Sequence, residues 1–320
     1  MSADCQLSGE TSGFRIRWGF MIKKMLLGAI LGMLVHVAPA HAQSCGPVPY
    51  ALSNGTTADA SQVMGNFNFL SNCQGQLRGY LGGLTMSNDA VSPNTVIATA
   101  AGVAASDDAT MLMKLGAATT KNANAAWVAG GGSGCLDSGS ALAASTWYHL
   151  FVIGNPVTGA VDELCSTSTA SPGLPLGYTK KRRIGSFKTN SSSQIMRFTQ
   201  DGDEFVWKSP VNIINSVNYN ASGSRVELPV IAVPTVVRPQ AIINIAMYNT
   251  SGGPSAVTLS NLDQDDVASD GRWDLANTGG YSANRMAIRV DSASKIYARI
   301  SYSATTLFLN TLGWIDTRGK

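Results

Sequence analysis

TWYHLFVIGNPVTGAVDELCSTSTASPGLPLGYTKKRRIGSFKTNSSSQIMRFTQDGDEFVWK, residues 146–208, is the stretch whose reading decides the fold. Residues 147–153 form a continuous apolar run bounded by turn residues, the mark of a buried strand. Asn155-Pro156-Val157-Thr158-Gly159 connects it to a second strand at 160–165. A loop rich in Pro, Ser, Thr and Gly follows at 166–177, then a third strand at 178–188, a turn at 189–193 and a fourth strand at 194–200. Asp201-Gly202 turns the chain into the strand 204–208. The spacing predicts a meander of short strands joined by hairpin turns.

The same style extends in both directions. Toward the C-terminus, strands are expected at 225–233, 238–248, 256–259 and 306–315, with Pro229 placing the first of these at an edge or bulge. Residues 284–290 and 295–302 read as a hairpin around Asp291-Ser292-Ala293-Ser294. In it Met286, Ile288 and Val290 alternate with Arg285, Ala287 and Arg289, and Ile296, Ala298 and Ile300 alternate with Tyr297, Arg299 and Ser301, so one face is apolar and the other wet. Toward the N-terminus, 96–103 and 111–115 are candidate strands. Gly130-Gly131-Gly132-Ser133-Gly134 lacks the Lys-Ser/Thr of a phosphate loop and reads as a turn. One helix is expected from Asp59, with Asp59 and Gln62 at capping-box spacing and Val63, Met64, Phe67 and Leu70 at helical spacing. A helix this short is marginal alone and must pack on its own domain or on copies from other subunits. The pattern predicts an all-β chain of antiparallel β-sandwich or jelly-roll-like domains with one short N-terminal helix after a signal peptide.

Residues 1–42 read as an upstream extension plus a secretion signal. Met21-Ile22-Lys23-Lys24 is a short basic region, 25–37 is an apolar run too short to cross a bilayer as a retained anchor, and Ala40-His41-Ala42 offers a cleavage site after Ala42. The rest divides into an N-terminal segment with the helix (43–80), a Gly/Ala-rich lead-in with the central meander (81–208) and a C-terminal sandwich (209–320). Removing 1–42 takes four of 23 basic residues and two of 20 acidic ones, leaving a net charge of about +1. Nucleic acid needs clustered excess positive charge, and no such footprint remains. Cleavage of the signal also leaves no membrane partner. Four cysteines remain, Cys45, Cys73, Cys135 and Cys165, and an even number in an exported chain points to disulfides. Of three possible pairings, sequence proximity favours Cys45–Cys73 and Cys135–Cys165, with buried free thiols as the alternative; no close ligand spacing suggests zinc.

The segments Thr146-Trp147-Tyr148-His149-Leu150-Phe151, 177–186 (GYTKKRRIGS) and 200–205 (QDGDEF) resemble a module of bacteriophage and prophage tail-fibre proteins. Residues 91–106 and 121–139 resemble its Gly/Ala-rich lead-in, and 45–50 and 57–64 resemble the start of similar phage-like proteins, so the resemblance covers 45–208. It implies a homotrimeric, β-rich appendage that recognises a host surface glycan. The secretion signal departs from that pattern, because phage fibres assemble in the cytoplasm. The expected product is therefore exported, periplasmic or extracellular, or else virion-associated.

Residues with chemical potential were weighed against structural roles. His149 is the only histidine after residue 42 and lies within an apolar strand, which suits a half-buried histidine rather than a nucleophilic triad. In Lys180-Lys181-Arg182-Arg183 strand geometry puts alternate side chains on opposite faces, and an ion-pair network with Asp201, Asp203 and Glu204 is expected rather than a ligand site. Asp201-Gly202-Asp203-Glu204 and Asp263-Gln264-Asp265-Asp266 concentrate oxygens but match no calcium-loop pattern. Trp147, Trp207 and Trp314 sit in apolar runs and read as core. Trp273, flanked by charge, and Tyr281 are the candidate ligand-facing aromatics. No cofactor or metal is called for. The expected function is non-catalytic recognition of a cell-surface glycan receptor by a self-associating fibre-like protein. The alternatives are a secreted polysaccharide-cleaving enzyme, for which no local carboxylate motif speaks, and a purely structural virion or envelope component.

Overall fold

A computed structural model of the chain describes residues 48–319 other than 56, 58, 75–77, 220–224, 230, 250–253, 262, 267–273 and 302–304, and the backbone alone at 71–74. The signal segment, Cys45, the Cys73 side chain and Trp273 lie outside the described residues. One helix is found among them, α1 (Ala60–Gln74), followed by β1 (Leu81–Gly83), β2 (Met86–Asn88), β3 (Val96–Thr99), β4 (Gly102–Ala105), β5 (Leu112–Leu115), β6 (Thr119–Ala126), β7 (Gly134–Leu136), β8 (Trp147–Gly154), β9 (Val161–Ser166) and β10 (Lys180–Lys188). The chain continues with β11 (Phe198–Asp201), β12 (Glu204–Tyr219), β13 (Val226–Glu227), β14 (Gln240–Asn249), β15 (Ser255–Ser260), β16 (Leu275–Asn277), β17 (Gly280–Arg289), β18 (Tyr297–Ile300) and β19 (Thr305–Ile315). The chain is all-β, as its alternation and turn chemistry require.

Four sheets result, ordered β1-β4-β5, β10-β8-β9-β7-β6-β3-β2, β11-β12-β19-β14-β17 and β13-β18-β15-β16. Pairing is antiparallel throughout except for β6–β7 and β7–β9, which are parallel. The 146–208 stretch is not one meander. β8 and β9 form the expected hairpin, but the 167–179 loop carries the chain across to the other side of β8, where β10 pairs. β8 thereby becomes an interior strand, hydrogen-bonded at both edges, and seven of its eight residues are buried. β11 and β12 then leave this sheet and open the five-stranded one.

Two further expectations are corrected in the same way. The run 96–103 is two strands in different sheets, β3 and β4, divided at Ala100-Ala101. A side chain on Gly102 would sit 2.4 Å from the Leu84 amide nitrogen and 2.5 Å from the Gly82 carbonyl oxygen, so only glycine lets the chain turn there. The 284–302 hairpin keeps its turn: Asp291 Oδ1 accepts hydrogen bonds from the Ala293 and Lys295 amides, both at 2.8 Å. Its arms separate, however, with β17 pairing β14 in one sheet and β18 pairing β13 and β15 in another. Val290 and Ile296, both fully buried, carry the chain through the interior between sheets. The alternation was read correctly and the partner was not. Pro229 follows an edge strand, since β13 holds only Val226–Glu227 at the margin of its sheet.

One apolar cluster runs through all four sheets, and a smaller one of Phe151, Ile153 and Leu164 is separate from it. Leu81, Ala104 and Met113 of the small sheet, Leu150 and Val152 of the seven-stranded sheet, and Ile243, Ile245, Leu307 and Leu309 of the five-stranded sheet join one apolar cluster with Val257 and Ile300 of the four-stranded sheet. Between the two large sheets lies a set of aromatic rings. Trp314 stacks on Phe205 with centroids 4.9 Å apart and touches Trp207 at 4.9 Å and Trp147 at 5.5 Å. All three tryptophans expected in the core are there, with Trp314 fully buried. At the far side two side chains stand in for ladder bonds: Gln200 Oε1 accepts from the Met86 amide at 2.7 Å, and Asn88 Oδ1 from the Phe198 amide at 3.0 Å. Residues 48–320 accordingly form one compact unit, and the boundary expected at 208/209 falls inside β12.

Helix α1 begins at Asp59, whose carboxylate accepts the Ser61 amide at 2.8 Å. Its Met64, Phe67 and Leu70 are exposed, and none of its described side chains joins either apolar cluster. Cys135 and Cys165 form the expected disulfide, closing a separation of 30 residues across the edges of β7 and β9. The pairing of Cys45 with Cys73 lies outside the described residues.

Two stability measurements follow. Replacing Trp314 with Ala should cost about 3–5 kcal/mol in denaturant unfolding, since the cavity opens where two sheets meet. Replacing Cys135 and Cys165 together by Ser should cost about 3 kcal/mol, and reductant should lower the wild type to the level of that double variant.

Candidate functional site

The basic run is structural. Lys180 pairs with Asp108 and Lys181 with Asp107, each at 2.6 Å. Arg182 donates to the Gly79 carbonyl at 3.2 Å, and Arg183 grips Asp316 with two bonds of 2.6 and 2.8 Å. The network was expected, but its acids come from the 106–110 loop and the chain end rather than from Asp201, Asp203 and Glu204. Asp203 instead binds Arg318 at 2.8 Å. The loop wins because it wraps the free edge of β10, where the Asp107 amide also donates to the Lys181 carbonyl at 2.9 Å. Burial pushes the Asp108 carboxyl upward, but hydrogen bonds from Lys180, Ser106 and Thr110 outweigh it and hold the group well below the usual carboxylate range.

His149 is buried, not half-buried. Its Nδ1 lies 2.8 Å from Ser186 Oγ, which also accepts from Arg183 at 3.2 Å. Burial, reinforced by the Arg183 charge and only partly offset by Asp316, lowers its pKa to about 4. A fully buried Ser–His pair serves packing; next to it β10 bulges at Ile184, and Gly185 lies close against Met86 and Phe205. A side chain there would meet Met86 Sδ at 2.3 Å and Phe205 Cζ at 3.1 Å.

A second buried cluster escaped the sequence reading. Lys121, fully buried, pairs with Asp162 at 2.8 Å and donates to the Val128 and Gly130 carbonyls. Beside it Glu163 is buried with neither carboxylate oxygen hydrogen-bonded among the described residues, and the Thr99 hydroxyl is likewise unpaired by hydrogen-bond geometry. Burial raises the Glu163 pKa to about 7, against the smaller lowering influence of Thr99 and Lys121. Trp127 is half-buried and donates to the Glu163 carbonyl at 2.9 Å. No group of three or more His, Cys, Asp or Glu side chains is placed to hold a metal among the described residues. In the 263–266 turn, Asp266 binds Arg299 at 2.9 Å and Asp263 pairs with Arg238.

The accessible site lies elsewhere, on the outer face of the five-stranded sheet. Alternation along β14 sends Ile243, Ile245 and Met247 into the core and leaves Asn244, Ala246 and Tyr248 facing out. Register places Asn218, Thr306, Tyr248 and Tyr281 in one row across β12, β19, β14 and β17. Tyr281 is 71% exposed and stacks on Tyr248 at 4.4 Å, with Phe308 at 6.2 Å completing an aromatic patch. Two rungs along, the row Asn212, Asn310, Asn244 and Arg285 crosses the same strands. Asn212 donates to Asn310 at 3.1 Å, while Asn244 and Arg285 have no side-chain partner among the described residues. The ring pair offers an apolar platform and, four residues along the same strands, Asn244 and Arg285 offer hydrogen-bonding groups, a spread that suits a chain of sugars rather than a single ring. Of the two aromatics singled out in the sequence, Tyr281 is at this site and Trp273 lies outside the described residues. Tyr248, Phe308 and the amide row were missed, although the outward positions of the 238–248 alternation carried the signal.

No family model matches the chain, and no curated protein matches it. Among solved structures, a chain from "Structure of infectious bursal disease virus Gx strain" aligns over 73% of this chain and 70% of its own length, at 9% identity and a TM-score of 0.18. At that TM-score nothing about fold or function follows from it. No helix among the described residues is long and apolar enough to cross a membrane.

The two buried titrating groups give a pH test. Glu163, raised from 4.5 to about 7, favours folding below pH 4.5 and loses that contribution as pH climbs to 7. His149, lowered from 6.5 to about 4, favours folding above pH 6.5 and loses its contribution as pH falls to 4. The slopes oppose between 4.5 and 6.5, so the contributions of these two groups to wild-type stability should nearly cancel there. Glu163→Gln should remove one slope, making stability rise with pH in that window and exceed wild type by about 3 kcal/mol at pH 8 in urea unfolding.

Proposed function

We propose that this chain is an exported, non-catalytic recognition protein of tail-fibre type, binding a cell-surface glycan on the outer face of its five-stranded sheet. The observation that carries this reading is the Tyr281–Tyr248–Phe308 patch, with Asn244 and Arg285, unpaired among the described residues, four positions along the same strands. The Cys135–Cys165 disulfide supports export, since such bonds persist in oxidising compartments. The uncovered apolar residues of α1 support self-association, because a 15-residue helix is barely stable unless packed, and a homotrimer would bundle three copies of it. Recognition rather than cleavage is favoured by the burial of His149 and Glu163, which leaves both away from any bound saccharide.

Binding is tested with immobilised glycans and with the Tyr281→Ala variant. The wild type should retain a subset of surface oligosaccharides, and the variant should lose at least tenfold in affinity while its melting temperature stays within a few degrees. A variant that binds undiminished removes the sheet face as the site, and release of new reducing ends by the wild type replaces recognition with hydrolysis.

A further inference from the structure

Resting on the glycan-binding reading, we infer that the face selects an acidic oligosaccharide, with a neutral sugar held at Tyr281 and a carboxylate-bearing sugar at Arg285. Both residues are on β17 and, being four apart, share its outer face at a separation of about 14 Å along the strand. That span exceeds one pyranose and requires a chain of sugars running parallel to β17. At one end the stacked tyrosines present ring faces, which accept the C–H surface of a sugar and bring no charge.

At the other end the chemistry changes. Arg285 has no carboxylate partner among the described residues, and the rest of its row is amide: Asn244, Asn310 and Asn212. The acids of this face are Asp201 and Glu204, in the row that ends at Arg289. Glu204 is three strands from Arg289, about 14 Å away, and neither acid shares the Arg285 row. Eight other basic groups, Lys121, Lys180, Lys181, Arg183, Arg238, Lys295, Arg299 and Arg318, have carboxylate partners. Arg285 is therefore an exposed guanidinium left unneutralised beside an unpaired amide. Its fork matches a carboxylate with two parallel hydrogen bonds, and Asn244 is placed to bind a neighbouring hydroxyl. The charge on the face thus complements an anionic ligand, and the aromatic end fixes where that ligand starts.

The test uses titration calorimetry with the full chain and two probes of equal length, an oligogalacturonate and a neutral gluco-oligosaccharide. The acidic probe should bind more tightly, with an advantage that shrinks as salt rises. Arg285→Ala should remove about tenfold of that advantage, weakening the acidic probe far more than the neutral one, while Arg285→Lys should keep part of it. Tyr281→Ala should weaken both probes. Equal affinity for the two probes, or an Arg285→Ala variant that keeps the acidic preference, overturns the inference and leaves glycan recognition standing. Failure of the wild type to bind either probe or any immobilised glycan overturns both. Arg285 is exposed, so an altered melting temperature in its variant would itself contradict the free-surface role assigned to it.

Discussion

The packing of Trp314 against Phe205, Trp207 and Trp147 is the contact on which the rest of the molecule depends. Trp147 belongs to the seven-stranded sheet, Phe205 and Trp207 to β12, and Trp314 to β19. These rings join the two large sheets at their seam, together with the aliphatic core, the side-chain bridges of Gln200 and Asn88 and the ion pairs near β10. Aromatic pairs add about 0.5–1.5 kcal/mol each beyond the area they bury, and here several converge on one indole. The consequence is a single unit in which the outer face of the five-stranded sheet is held rigid by a core that reaches behind it.

Polar groups near that junction are arranged to hold position rather than to meet ligands. Arg183 spans from β10 to Asp316, just beyond β19, and Arg318 spans to Asp203 ahead of β12. These bonds clamp the chain end across the same seam that the tryptophans fill. A bidentate arginine–carboxylate pair that is mostly buried is geometrically strict, so it fixes how the sheets register even where its net contribution to stability is small. The basic run therefore looks like a binding patch only while its acids, more than 70 residues away for Lys180 and Lys181 and 133 for Arg183, are out of view.

What local pattern dictates was legible from the residues alone. Strand positions, the Asp291 turn, the core tryptophans, the helix start at Asp59 and the Cys135–Cys165 bond all follow from short-range chemistry. What failed was partnership. The arms flanking residues 291–294 have ideal alternation for pairing with each other, yet β17 gains more from β14, whose ten residues match its length. Alternation tells which way a side chain faces and is silent on which strand lies beside it. The candidate site shows the same limit. Tyr281 was legible as an exposed aromatic, but Tyr248 and Phe308 reach it only through strand register, from 33 and 27 residues away, and no local signal ties Asn212 to Asn310 across 98 residues.

The position of β19 has a consequence for how the chain acquires its structure. This strand lies between β12 and β14, and its pairing with β12 joins Glu204 to Ile315. Until residues 305–315 are available, β12 and β14 each present an unpaired edge and the indole that unites the sheets is missing. Contacts so distant in sequence raise the relative contact order and slow the search for the native state. A chain synthesised N-terminus first leaves its apolar strands waiting, open-edged, for the last one to arrive. The interval before β19 inserts is the period when aggregation and chaperone capture compete most directly with folding.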